Sequence, residues 1–311
     1  MASTYRLLSY AHKGGPRAGL LIDNKVYDAE AAFAGLAKKT KKKATFRTDD
    51  VLSILRNWPK AAPMLSAIAK ASGAGAKGAA LGKVKLMAPF EPGMIWCAGA
   101  NYYDHVREMT GHEMDKTKCE PFFFIKAGGP AGIIGEGDTI KLPAFSKQMD
   151  WEAELAVIIG KPARNVKAKD ALKHVAGYTI LNDLSARDRG TRDDWVFKFD
   201  WLRQKSFDTG CPMGPWITPA SEIKDPQKLK IDLWIGNSYE QDTNTDQMVF
   251  TVAEQIEALS KQITLVPGDI ITTGTGAGCG RPKGKFMKPG DRVKITIEKL
   301  GTLNNKVAAG A

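Results

Sequence analysis

The chain has 311 residues, is 43% hydrophobic and 25% charged, and carries a formal net charge of +11. That is the composition of a folded globular protein with one large domain, or a large and a small one, and it excludes a disordered chain. No apolar run approaches the roughly 20 residues needed to cross a bilayer. The start, MASTYRLLSYAHKGG, lacks a signal peptide's apolar stretch and cleavage site, so a cytoplasmic location without a membrane partner is expected. The four cysteines (Cys97, Cys119, Cys211 and Cys279) are widely spaced with no CxxC pair. They suit free thiols in a reducing compartment better than disulfides, and core residues better than a nucleophile.

In chain order, RLLSY, AGLLID and KVYDA read as short strands joined by Gly, Pro and Asn turns. A basic cluster follows at Lys38, Lys39, Lys41, Lys42, Lys43 and Arg47. It suits either a nucleic-acid patch or a solvated loop or helix end. No aromatic residues interleave to stack bases, so the solvated surface is expected, with no nucleic-acid partner. Two helices are expected around DDVLSILRNW and MLSAIAKA, and then a loose Gly/Ala-rich connection, ASGAGAKGAALGK. From Pro89 onward β-like runs recur: GMIWCAG, FFFIKA, DTIKLP, WEAELAVIIG, AGYTILND, GPWITP, KIDLWIG, GDIITTG and DRVKITIE. TVAEQIEALSKQI is the clearest amphipathic helix. This is not strict strand–helix alternation, so a mostly β domain with a few helices fits better than a doubly wound sheet.

Within WEAELAVIIG, alternation on a strand turns Glu152 and Glu154 to one face. Two carboxylates on an otherwise apolar strand repel each other, and a hard divalent cation compensates them. The same pattern also describes an exposed strand end with two solvated glutamates. GYTILNDLSARD reads as a buried strand ending at Asp183, an acid placed either to join the same site or to cap a following helix. In NYYDHVREM a helix puts His105 and Glu108 one turn apart on one face, as an acid–base dyad or as a plain surface pair. Lys205 lies in RQKSFDTGCPMGPW, where a lysine beside a cation can stabilise an enolate. The Gly-rich TTGTGAGCGRPKG is not a dinucleotide fingerprint, because no helix pattern follows it. A loop whose backbone amides hold a carboxylate fits better.

Together and in order, AGANYYDHVREM, QMDWEAELAVIIGK, GYTILNDLSARD, KSFDTGCPMGPWI, GTGAGCG and KPGDRVKITIEKLGTLNNKV resemble the fumarylacetoacetate hydrolase family, from about Met94 to Val307. The first 88 residues resemble, more weakly, the small N-terminal domain that many members carry. The resemblance implies a mixed α/β, predominantly β fold. It places a β-roll catalytic domain over 89–311 and a small α+β domain over 1–88, usually in a homodimer, with one Mg²⁺ or Mn²⁺ per chain. By position, Glu152, Glu154 and Asp183 match the family's metal ligands. His105 and Glu108 match its water-activating dyad on a mobile lid, and Lys205 its catalytic lysine. Arg187 and Thr275 match substrate-contacting positions, with Tyr103 a further contact. Two departures stand out. Gly190 occupies the position, seven residues after the metal-binding Asp, where many members have Gln. Gly276 replaces the usual Pro of the glycine loop.

What this implies is chemistry on a small 2-oxo acid, chelated through its carboxylate and 2-oxo oxygen. The expected activity is hydrolysis of a C–C bond in an acylpyruvate or other 2,4-dioxo acid, giving pyruvate and a carboxylic acid. The same enolate arises by isomerising a hydroxymuconate-type acid or decarboxylating oxaloacetate, which is the alternative expectation.

Overall fold

A computed structural model describes residues 4–310. Strand exceeds helix, in a mixed α/β arrangement as expected. The main sheet has twelve strands. Its path runs from Gly78–Ala80 through Lys25–Asp28, Gly15–Ile22 and Arg6–His12 to Cys211–Pro219. It continues through Val175–Asn182, Ala153–Ile159, Ile270–Thr275 and Ile95–Gly99, and ends at Phe122–Lys126. The strands before residue 88 belong to this same sheet, where Leu7 pairs with Ile217. The Gly/Ala-rich stretch is no loose connection: Gly78–Ala80 pairs with the strand Lys25–Asp28, and Ala74 is buried. A helix that the sequence reading omits, Ala29–Thr40, is capped by Asp28 and buries Ala29, Ala32, Phe33 and Leu36. Its alanines give little apolar–polar contrast, which is why the 3.6-residue period is faint. Lys38, Lys39, Lys41, Lys42, Lys43 and Arg47 are all exposed.

A second, five-stranded sheet orders Ser238–Asn244, Lys230–Ile235, Arg292–Ile297, Gly301–Ala309 and Thr139–Leu142. The strand Ala153–Ile159 lies between two cores and is buried at every residue. Ala156 and Ile158 pack with Ile54, Leu65 and Ile68 of the N-terminal helices. Leu155, Val157 and Ile159 pack with Ile231, Leu233 and Ile295 of the second sheet. With both faces committed to apolar packing, its polar residues collect at one end. That end is where the functional residues gather. No helix among the described residues is long and apolar enough to cross a membrane.

Candidate metal centre

Glu152 immediately precedes the strand Ala153–Ile159, Glu154 is its second residue, and Asp183 directly follows the neighbouring strand Val175–Asn182. Antiparallel pairing of Ala153 with Asn182 brings these ends together, and the Asp183 amide donates to the Glu152 carbonyl at 2.9 Å. One carboxylate oxygen from each of Glu152, Glu154 and Asp183 lies within 4.8 Å of the others, and all three residues are buried. No helix starts at Asp183; the short turn Arg187–Arg189 is preceded by Ala186.

The surroundings of the three acids differ. Glu152 receives Arg187 Nη2 at 2.5 Å and Lys205 Nζ at 2.6 Å. Asp183 receives Lys205 Nζ at 2.7 Å and Lys126 Nζ at 2.8 Å. Among the described residues no side-chain cation lies within ion-pair distance of Glu154, whose Oε2 accepts only the Gly274 amide, at 2.8 Å. Burial, then the charges of Asp183 and Glu152, push Glu154 well above the usual carboxylate range. For Glu152, burial is outweighed by Lys205 and Arg187, which hold its carboxyl far below that range. Lys205 ends the short helix Trp201–Lys205, whose first turn Asp200 caps. Burial opposes its charge, but Asp183 and Glu152 keep the ammonium protonated.

His105 and Glu108 lie on the helix Tyr103–Thr110. His105 is 9% exposed, with Nδ1 3.8 Å from Glu108 Oε2, an ion-pair distance rather than a hydrogen bond. Glu108 Oε2 accepts the Gly278 amide at 2.9 Å. Burial raises the Glu108 pKa, but His105 and that amide leave it below the usual value. Tyr103 is the helix's first residue and half-buried. Arg187, expected to touch substrate, spends its guanidinium on Asp150 at 2.8 Å and on Glu152. The Thr275 hydroxyl donates to Ala153 O at 3.0 Å and accepts from Gln241 Nε2 at 2.9 Å.

The glycine loop holds carboxylates on its amides, and they are the protein's own. Gly274 serves Glu154, Gly278 serves Glu108, and Gly280 and Arg281 serve Asp150. Gly278 has φ +101°, and a Cβ there would meet Glu240 O at 2.1 Å, so only glycine brings the amide to Glu108. Gly276, too, has a steric reason. A Cβ would fall 2.4 Å from Thr243 Oγ1, and that hydroxyl donates to Asp104 Oδ2 at 2.6 Å in the helix of His105.

Sequence reasoning missed Lys126, Asp150 and Gln241. For Asp150 a signal existed: it continues the alternation of Glu152 and Glu154 by two residues. Lys126 had a weaker one, a lone lysine sharing Phe124's face at the end of an aromatic strand. Gln241 reaches across from the second sheet, accepting the Ala153 amide at 3.0 Å. Nothing in its local sequence announces that.

The donor set fits a hard divalent cation. It is all oxygen, buried, and includes one carboxylate without a cationic partner. Asp150, Glu152, Glu154 and Asp183 gather around Lys126, Arg187 and Lys205, which leaves one buried carboxylate uncompensated for a cation to balance. The buried thiols offer no rival chemistry: burial pushes Cys211 up to about 12, and Cys97 and Cys279 well above their usual value.

Known proteins share this architecture. The chain is 41% identical over 228 residues to the human oxaloacetate tautomerase FAHD2B, mitochondrial, covering 72% of this chain and 70% of that one. It is 42% identical over 232 residues to oxaloacetate tautomerase YisK of Bacillus subtilis, covering 73% and 74%. Among solved structures, the fumarylacetoacetate hydrolase of Exiguobacterium antarcticum superposes with a TM-score of 0.80 at 29% identity, covering 98% of this chain and all of that one. The maleylpyruvate hydrolase of Sphingobium sp. SYK-6, in complex with manganese(II) and pyruvate, gives a TM-score of 0.73 at 30% identity over 98% and 100% of the two chains. Residues 94–308 match the family described as fumarylacetoacetate (FAA) hydrolase C-terminal, to which the chain therefore belongs.

Proposed function

We propose that this enzyme is a divalent-metal-dependent oxaloacetate tautomerase, interconverting the keto and enol forms of a short 2-oxo dicarboxylate. The observation that carries the reading is the 41–42% identity to two proteins of that name, against 29–30% to the structures described as hydrolases. It favours the alternative expectation, an isomerase or decarboxylase of a related 2-oxo acid such as oxaloacetate, over the C–C hydrolase expected from sequence.

Tautomerisation moves one proton between C3 and the oxygen on C2, and it consumes no water. Glu152, Glu154 and Asp183 would hold a divalent cation, which would supply Lewis acidity to a bound 2-oxo acid. His105 takes and returns the proton, acting as a shuttle rather than as an activator of water. Glu108, held ionised, keeps a negative charge 3.8 Å from Nδ1 and stabilises the imidazolium while the proton is carried. Lys205 adds a fixed positive charge beside the developing enolate. Arg187 orients Glu152. Buried placement excludes bulk water and strengthens each of these interactions.

The test follows the decay of enol-oxaloacetate absorbance with Mn²⁺ or Mg²⁺, with pyruvate and CO₂ measured in parallel. Keto–enol equilibration should accelerate, vanish on chelation and return with metal, while pyruvate forms no faster than with metal alone. Faster cleavage of an acylpyruvate to pyruvate and a second acid would restore the hydrolase reading. Homodimerisation belongs to the same proposal. Trp195, Val196, Phe197 and Leu202 each stand more than half exposed near the Lys205 helix, apolar surface that a second copy would cover.

A further inference from the structure

We infer that Gln241 is a positioning residue of the metal centre, its side-chain amide tying the backbone between Glu152 and Glu154 to the glycine loop. The inference rests on the metal-binding part of the reading above and not on the reaction that follows.

The strand Ala153–Ile159 lies against the strand Ile270–Thr275, and the register between them breaks beside the site. Glu154 stands opposite Thr275, whereas Ala156 stands opposite Thr272. Leu155 alone therefore faces both Thr273 and Gly274, which makes a β-bulge. Gly274 takes φ +88° there, and its amide donates to Glu154 Oε2 at 2.8 Å. The bulge thus serves the one ligand that lacks a cationic partner.

The paired register ends at Glu154 and Thr275, and side chains meet the amide and carbonyl of Ala153 instead. Gln241 Oε1 accepts from Ala153 N at 3.0 Å, and Thr275 Oγ1 donates to Ala153 O at 3.0 Å. Gln241 Nε2 donates to Thr275 Oγ1 at 2.9 Å and to Gly276 O at 3.0 Å. These bonds close a ring. The Thr275 hydroxyl has a single proton, spent on Ala153 O, so the group facing it has to be the amide NH₂, and Gln241 has one orientation. Ala153 lies between the two glutamates, so the ring fixes the backbone from which both ligands leave.

Gln241 belongs to neither strand of that pair. It is fully buried and comes from Ser238–Asn244 of the second sheet. Thr243, two residues on and on the same face, holds the helix of His105 through Asp104. One strand therefore carries two separable ties, Gln241 to the metal ligands and Thr243 to the acid–base helix. Packing support alone would act on stability, whereas the ring acts on where Glu152 and Glu154 point.

The probe is Mn²⁺ binding to the full chain, followed by electron paramagnetic resonance, with the melting temperature measured without metal. Gln241→Met keeps the length of the side chain and removes both its donor and its acceptor. Its Kd for Mn²⁺ should rise about 10–100-fold, the range for residues that orient metal ligands. The zero-field splitting of the bound Mn²⁺ should change as well, because the ligand geometry changes. Thr275→Val opens the same ring at another corner, so the double variant should bind little worse than the weaker single one. A folded Gln241→Met protein with wild-type Mn²⁺ affinity and an unchanged spectrum overturns the inference, even if its melting temperature falls. Additive losses in the double variant overturn it too, since the two residues would then act separately. Where Gln241→Met does not fold, Thr275→Val carries the test with the same expected loss and spectral change. A wild type that binds no Mn²⁺ overturns the metal centre and this inference together. A wild type that binds Mn²⁺ but leaves oxaloacetate unchanged refutes the tautomerase reading alone, and the comparison with Gln241→Met still decides the role of Gln241.

Discussion

Glu152 and Glu154 sit two residues apart and are both buried, yet one is flanked by Arg187 and Lys205 and the other meets only a backbone amide. Removing charge from Glu154 therefore takes away the carboxylate with most need of a cation, while Glu152 is already compensated. Glu154→Gln should weaken Mn²⁺ binding by well over tenfold. Arg187→Lys, which cannot span Asp150 and Glu152 with one fork, should cost about 10–100-fold in metal affinity or activity, the range for residues that orient ligands. Titration of each variant with Mn²⁺ checks the order. A Glu154→Gln protein that binds metal like wild type would remove the acid triad from the mechanism.

At the scale of elements, the helix Tyr103–Thr110 is held over the centre by Thr243 to Asp104 at one end and by Gly278 to Glu108 nearer the other. Thr243→Val preserves shape but leaves Asp104 without that donor. Turnover should fall severalfold with Mn²⁺ affinity unchanged, because His105 is displaced and the ligands are not. Loss of metal affinity in Thr243→Val would show that the helix supports the triad itself. In the N-terminal half, Asp28 caps the helix Ala29–Thr40 through the Ala31 amide at 2.8 Å and also binds Arg17 and Tyr10. Burial raises the Asp28 pKa, but Arg17 and the other donors leave it below its ordinary 3.8. A depressed acid contributes stability that is complete above that value and is lost as pH falls through it. Asp28→Ala should cost about 1 kcal/mol at neutral pH, the usual value of a cap. The melting-temperature gap to wild type should narrow as pH drops below 3.8. A gap constant over that range would mean that the charge of Asp28 contributes nothing.

For the whole molecule, the exposed Trp195, Val196, Phe197 and Leu202 make a measurable case for a second copy. Light scattering should give twice the 33.8 kDa chain mass. Phe197→Asp should shift the population towards monomer while its Mn²⁺ affinity stays at the wild-type value. A wild-type monomer at micromolar concentration would refute the dimer. Metal binding is also a property of the whole fold, since strand ends, the glycine loop and two helices all converge on it. Saturating Mn²⁺ at a hundred times Kd should stabilise the native state by about 2.7 kcal/mol, and chelation should reverse it.

Period-two alternation and a strand-ending acid made Glu152, Glu154 and Asp183 candidates, because which face a strand residue takes is a local property, and the family resemblance named them as ligands. The same rule extends to Asp150, two residues earlier. Most strands after Pro89 were legible too, since β-branched and aromatic runs bounded by Gly and Pro define them without reference to the rest of the chain. The helix Ala29–Thr40 was not, because alanine-rich packing against other elements leaves no strong pattern. Only the tertiary structure decided the electrostatics. Lys205 stood out in sequence and Lys126 did not, yet both become buried partners of Asp183 because distant segments fold together. It also decided the departures at Gly190 and Gly276. At Gly276 the short, branched Thr243 side chain occupies the space a Cβ would need, and at Gly190 the end of Gln204 does. A sequence read residue by residue holds no record of which two positions must share one volume.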